Sequence, residues 1–245
     1  RLYQTWDVGE KGRKEKAYNA LSRWLLNFTR THLTTVDVAR HVLSVMGATS
    51  AKRVLFVTCG WGWPEEFAHL GWQGYVALGL FHGLVSLGLE VIEGPAHWAP
   101  KGCPTSAMWY MYDPQASGCN FSRDDLRHVL YGYGFSYAYT MNYSAERHPR
   151  DDETEALIRA GAFDVVIYAR VGPRQGCDPL PWFDLIQSRY HKSQVAFIHG
   201  GDFGLASSPL SVQHMTQFMD KGFVFAREFS VAPMWTMPEH FFPRA

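Results

Sequence analysis

The sequence predicts an α/β protein: a Rossmann-like, doubly wound and mostly parallel sheet of about six strands with flanking helices. Three observations predict it. Short runs rich in Val, Ile and Phe stand at 163–168, 194–198 and 222–225, too short for helices and largely apolar, as strands buried on both faces are. Segments of helical pattern, 181–190 and 209–220, lie between them, and strand–helix–strand at this spacing implies parallel strands with right-handed crossovers. Each run gives way to polar residues, and in such sheets ligands gather outside the carboxyl ends of the strands.

In chain order, residues 1–10 read as a tail. A helical pattern covers 11–32, with Tyr18, Leu21, Trp24, Leu25 and Phe28 on one stripe. Thr35 and Asp37 open a second helix carrying Val38, Val42 and Val45. Residues 1–50 are thus expected as a helical extension packed on the flank of a core domain spanning 51–230. The first strand, 53–58, runs into Cys59-Gly60-Trp61-Gly62-Trp63-Pro64. A glycine-containing turn after the first strand is where a Rossmann unit meets its ligand, so Gly60 and Gly62 are candidate substrate-binding positions. The dinucleotide fingerprint itself is not met, because only those two glycines fit and Pro64 follows.

A glycine-rich apolar helix is expected over 71–88, its small residues permitting close packing on the sheet, and then a strand at 89–92. Residues 94–119 form a long aromatic loop that either covers a ligand or covers exposed core. A short helix at 122–131, a strand at 135–139 and an acid-started helix at 151–160 precede the three organising strands. The tail, 231–245, holds Pro233, Pro238 and Pro243 and reads as a run-out from a completed domain.

Composition narrows the function. The 245 residues are 47% hydrophobic, and 23 Lys plus Arg balance 23 Asp plus Glu. No basic surface for nucleic acid is implied. The nine Trp are either core residues or stacking platforms for sugars. No apolar run is long and uninterrupted enough to cross a membrane. Three of the four Asn stand in Asn-X-Ser/Thr triplets, at Asn27, Asn120 and Asn142. These are glycosylation acceptors and point to the secretory pathway lumen or the cell exterior, a cytoplasmic location being the alternative. Cys103 and Cys119 bracket a loop and are a candidate bridge, Cys59 reads as buried, and no Cys/His spacing suggests a metal. No cofactor is expected. The chain starts at Arg1, which suggests a processed or trimmed product.

The candidate site gathers at the strand ends. His199 and Asp202 follow one strand as base and orienter, with the alternative that His199 is a core residue and Asp202 caps a turn. Arg227 and Glu228 follow the last strand, adjacent and so pointing to opposite faces; Glu228 would accept sugar hydroxyls and Arg227 meet an anion, or either would form a structural ion pair. Arg170 and Arg174 flank a Gly-Pro turn, as phosphate contacts or as solvated loop charges. Glu65 and Glu66 are candidate bases or exposed loop charges. A Gly-X-Ser-X-Gly elbow, a His-Glu-X-X-His helix and an Asp-X-Asp pair are all absent from the sequence, which argues against an α/β-hydrolase and a zinc protease.

The segments 129–137, 163–168, 195–202 and 225–229, in this order and spacing, resemble the N-terminal half of glycosyltransferase-like proteins of the two-domain GT-B type. The resemblance covers roughly residues 52–240. It implies sugar transfer from a nucleotide-sugar donor, held mainly by a C-terminal domain, to a carbohydrate or glycoconjugate acceptor held by this half. It gives His199, Asp202 and Glu228 catalytic roles and makes Arg170 and Arg227 substrate contacts. The family pattern has an acid where His199 stands, an acid where Gly201 stands and a Lys where Ala226 stands. Those departures fit the alternative, a non-catalytic relative serving as a structural or carbohydrate-binding subunit of a larger assembly, partnered by a further domain or other proteins.

Overall fold

A computed structural model of the chain describes residues 11–32, 34–58, 75–95, 149–171, 179–199 and 216–226. They form α1 (Lys11–His32), α2 (Thr35–Val45), β1 (Arg53–Val57), α3 (Tyr75–Ser86), β2 (Glu90–Gly94), α4 (Asp151–Ala160), β3 (Val165–Val171), α5 (Phe183–Arg189), β4 (Val195–His199) and β5 (Phe223–Ala226). The strands make one sheet in the order β2-β1-β3-β4-β5, and every neighbouring pair is parallel. The helix and strand expected at 122–131 and 135–139 lie outside the described residues, as do 96–119 of the long loop and all four cysteines. Of the helix expected over 209–220 only the end is described, and it passes into turn at 217.

Alternation along each strand sorts side chains onto two faces. Val54, Phe56, Val91, Val165, Ile167, Ala196 and Ile198 point to a first face, covered by Ala39, Val42 and Leu43 of α2 and Leu78, Phe81 and Leu84 of α3. Leu55, Val57, Val166, Tyr168, Val195 and Phe197 point to the second, covered by Ile158 of α4 and Ile186 of α5. Helices on both faces make the sheet doubly wound, the architecture expected from the alternating pattern. Because both faces are buried, the strands carry apolar residues at consecutive positions, and that is why they read as uninterrupted runs.

Two expectations change at the first face. The α2 stripe is Ala39, Val42, Leu43 and Met46, whereas Val38 and Val45 are exposed. The glycines of α3 face α2 rather than the sheet. A Cβ on Gly83 would collide with the Thr35 carbonyl and stand 2.9 Å from the Ala39 Cβ, and one on Gly79 would touch Thr35 Cγ2 at 3.8 Å. Glycines four apart share a helix face, so together they let the two backbones approach. Helix α2 opens at Thr35 as the sequence implies, with Thr34 as its cap: the Thr34 hydroxyl accepts the Asp37 amide at 3.1 Å.

At the second face the packing is aromatic. Tyr168 stacks on Phe197 at 5.1 Å, Phe197 on Phe218 at 4.6 Å, and Phe183 meets the Phe218 ring edge-on at 6.3 Å. The Tyr168 hydroxyl donates to the Pro181 carbonyl at 3.0 Å, and burial, with the Asp184 charge adding to it, pushes its ionisation well up. Helix α4 ends at Gly161, whose left-handed φ of 68° lets the chain turn back into β3.

The amino edge of the sheet is tied by exposed charges. Asp164 Oδ2 accepts the backbone amides of Lys52 at 2.8 Å and Arg53 at 2.9 Å, fixing the start of β3 against β1. Those amides, first Lys52 and then Arg53, hold its carboxyl below the usual value. Arg53 donates twice to Glu90 across β1 and β2, at 2.7 and 2.6 Å.

Candidate functional site

Parallel pairing brings all five carboxyl ends to one edge. With β2 on one side of β1 and β3 on the other, the chain reverses its winding direction between β1 and β3. A crevice opens at such a point, between loops that leave for opposite faces, and ligands of doubly wound sheets sit there. Gly60 and Gly62 follow β1 and Arg170 stands near the end of β3, so the sequence-chosen positions border this reversal along the chain.

Buried polar side chains gather at that edge. Thr58, directly after β1, is fully buried, Glu93 on β2 is 2% exposed, and His199 at the end of β4 is 3% exposed. Thr58 continues the parity of Val54 and Phe56, and Glu93 that of Val91, so both turn to the first face. The Thr58 hydroxyl donates to Glu93 Oε1 at 3.2 Å, and the Thr58 amide donates to the Gly94 carbonyl at 2.8 Å, extending the β1–β2 ladder past its last register pair. A carboxylate removed from water needs such donors, since an unpaired one would cost several kcal/mol. Glu93 is therefore an oriented acceptor one strand from the reversal.

His199 turns to the second face, continuing the parity of Val195 and Phe197. It stands opposite Val171 rather than Arg170, because the β3–β4 register shifts between Tyr168 and Val171. Ala169 keeps to the first face by ordinary alternation, and the irregularity turns Val171 to the second, re-aiming the tip of β3. The described part of Arg170 is its backbone, on the strand beside that of His199. Gly60, Gly62, Glu65, Glu66, Arg174, Asp202, Arg227 and Glu228 lie outside the described residues, as do Asn120 and Asn142; Asn27 is exposed on α1.

Two features of this edge escaped the sequence reading. Glu93 follows a strand expected to stop at Ile92, so its inward parity went unread. Counting it as a strand residue beside Val91 would have flagged a charge on an apolar face. Trp182, which caps α5, is the second. Its backbone is left-handed, with φ 53°, a conformation that costs a non-glycine residue about 1 kcal/mol or more. Its ring lies where a side chain of Gly94 would go, with Cη2 2.7 Å from that Cβ position, and Asp151 Oδ1 is 3.9 Å from the same point. Trp182 thus packs with the second-face cluster against the tip of β2. It remains partly exposed.

Among the described residues no group of three His, Cys, Asp or Glu is placed to hold a metal ion, and no helix is long and apolar enough to cross a membrane. The fold defines the class: an α/β protein with a Rossmann-like parallel sheet. Comparison with protein-family models, with curated proteins and with solved structures finds no match.

Proposed function

We propose that this chain is a glycosyltransferase-like domain, the acceptor-side half of a GT-B sugar transferase. One observation supports the reading: the sheet is parallel, and its carboxyl edge carries buried polar side chains, Thr58 and Glu93 on one face at the β1–β2 seam and His199 on the other at the end of β4. Transfer to a sugar hydroxyl needs an acceptor for its proton and a surface on which the ring is oriented. Glu93, 2% exposed and held by Thr58, braces this edge from the first face, and on the second face the partly exposed Trp182 offers an indole face of the kind that stacks on sugars. Asp202, Arg227 and Glu228 follow β4 and β5 in the chain and keep the roles that the resemblance implies. The donor is a nucleotide sugar bound chiefly by a second domain, and the acceptor a carbohydrate or glycoconjugate. The exposed Asn27 triplet accords with a glycoprotein of the secretory pathway; intact mass before and after enzymatic deglycosylation tests this, and an unchanged mass removes the case for that location.

The second reading, a non-catalytic carbohydrate-binding or structural relative, is favoured by His199. Its 3% exposure among the apolar residues of the second face accords with the alternative of a core histidine. Calorimetric titration of the protein, with its full gene product, against nucleotide sugars and oligosaccharides separates the two. Donor binding together with acceptor binding lost in Asp202→Ala supports the enzyme. Acceptor binding with a silent donor titration supports the second reading, and silence in both removes each.

A further inference from the structure

Helix α1 differs from every other described helix in what it leaves uncovered. Tyr18 is 62% exposed, Leu21 55%, Trp24 58%, Leu25 47% and Phe28 38%. Residues 18, 21, 25 and 28 recur at spacings of three and four, so they share one face, and Trp24 borders it, its ring stacked on that of Phe28 at 5.4 Å. This is as wide an apolar stripe as a core helix carries. Yet among the described residues α2 packs extensively against α3, and α1 has no contact of that extent with any element.

The charge of α1 is nearly all of one sign, and one exposed apolar residue, Leu26 at 64%, stands outside the stripe on the face of Arg23 and Arg30. Six Lys or Arg stand in 11–32 against a single acid, Glu15, whereas the whole chain is balanced at net zero. The helix has no acid in its first turn, where a carboxylate would favour the helix dipole. Positive charge has thus been concentrated in this element at some cost to the isolated helix, and the remainder of the chain carries the opposite excess. Arg23, Asn27 and Arg30 follow one another at spacings of four and three, on the face turned away from the apolar stripe, and all three are exposed.

We infer that α1 is an interfacial helix that lies on an anionic lipid bilayer, its stripe of Tyr18, Leu21, Trp24, Leu25 and Phe28 seated at the headgroup–acyl boundary and its basic residues drawn to the lipid charge. Exposed Trp, Tyr, Phe and Leu on a helix that also carries Arg23 and Arg30 suit this boundary, where indole and phenol rings find both an apolar and a wet side. The positive excess selects anionic over zwitterionic lipid. The inference is independent of any sugar chemistry at the sheet.

The test is co-sedimentation of the whole chain with vesicles of phosphatidylcholine mixed with phosphatidylserine, against vesicles of phosphatidylcholine alone. Binding to the mixed vesicles that weakens with added salt is expected. Trp24→Ser with Leu25→Ser should lower the partition coefficient about ten-fold or more, these being the side chains that enter the lipid. Arg23→Gln and Arg30→Gln should each lower it about five-fold for the mixed vesicles and leave the neutral ones unchanged. Thermal unfolding of all variants should match the parent, since the substituted residues cover no core. Equal partition of parent and Trp24→Ser/Leu25→Ser overturns the inference, as does indifference to lipid charge. A dimer in sedimentation that the double substitution disperses, with no vesicle binding, overturns it in favour of a second copy as the occupant.

Discussion

The two faces of the sheet are packed by opposite means. On the first, α2 and α3 approach through the missing side chains of Gly79 and Gly83, and the layer beneath is mostly Val, Leu, Ile and Ala. On the second, Tyr168, Phe197 and Phe218 stack in a column with Phe183 at its edge. One face is limited by backbone proximity at Gly83, where the Thr35 carbonyl leaves no room for a Cβ. The other is filled by large rings and has no replacement for a lost one. The contrast extends to the carboxyl edge, where the first face ends in the Thr58–Glu93 hydrogen bond and the second in His199 and the Trp182 ring.

Deleting a ring tests this contrast most severely. Phe197→Ala should cost about 3–5 kcal/mol, read by denaturant unfolding, because it breaks the column at its middle. A loss below about 1 kcal/mol would mean that the rings are not close-packed. The converse change, Gly83→Ala, should cost about 1–3 kcal/mol although it adds the best helix former, because the Thr35 backbone cannot give way as a side chain would. A stabilised Gly83→Ala variant would show that α2 does not seat there.

At the carboxyl edge the expected effect is smaller. Thr58→Val keeps the shape and removes the donor to Glu93, so stability should fall by about 1–2 kcal/mol. Pairing it with Glu93→Gln in a double-mutant cycle should show coupling, and additive losses would mean that the two side chains do not meet.

The smallest effects belong to exposed and partly buried charges, and pH reads them. Asp164 has a folded pKa below its ordinary 3.8, so its contribution is complete above that value and is lost as pH falls through the folded pKa. Asp164→Asn should cost about 1 kcal/mol near neutrality, discounted for solvent screening, and flatten the acid limb below about pH 4. His82, partly buried on α3, has its pKa lowered from 6.5 by burial, so the fold favours its neutral form. Its contribution is complete above 6.5 and declines below it, and His82→Gln should remove that decline. An acid limb unchanged in both variants would place the pH dependence in other groups.

Much of this architecture is legible because burial on both faces leaves a plain trace. Strands at 53–57, 165–171, 195–199 and 223–226 carry apolar residues at successive positions, and the acid-started helix at 151–160 begins and ends where its charges and Gly161 say. The site is less legible. Glu93 looks like the end of a strand until the register with β1 shows that it points inward, and Trp182 looks like one of many tryptophans until its ring is seen against Gly94. The register shift that sets Val171 opposite His199 likewise has no local signature. Each of these depends on pairing between strands distant in sequence, which no local pattern carries.

By itself, then, the chain determines its strands, its helical stripes and the parallel winding that connects them, since hydrophobic period, turn residues and crossover length are local properties. Only the tertiary structure decides what each stripe meets. It turns the α3 glycines to α2 rather than to the sheet, leaves the aromatic stripe of α1 uncovered while burying that of α2, and brings Thr58 against Glu93. The physical reason is that a periodicity specifies an apolar face, whereas its partner is selected by shape and distance among all the faces present at once.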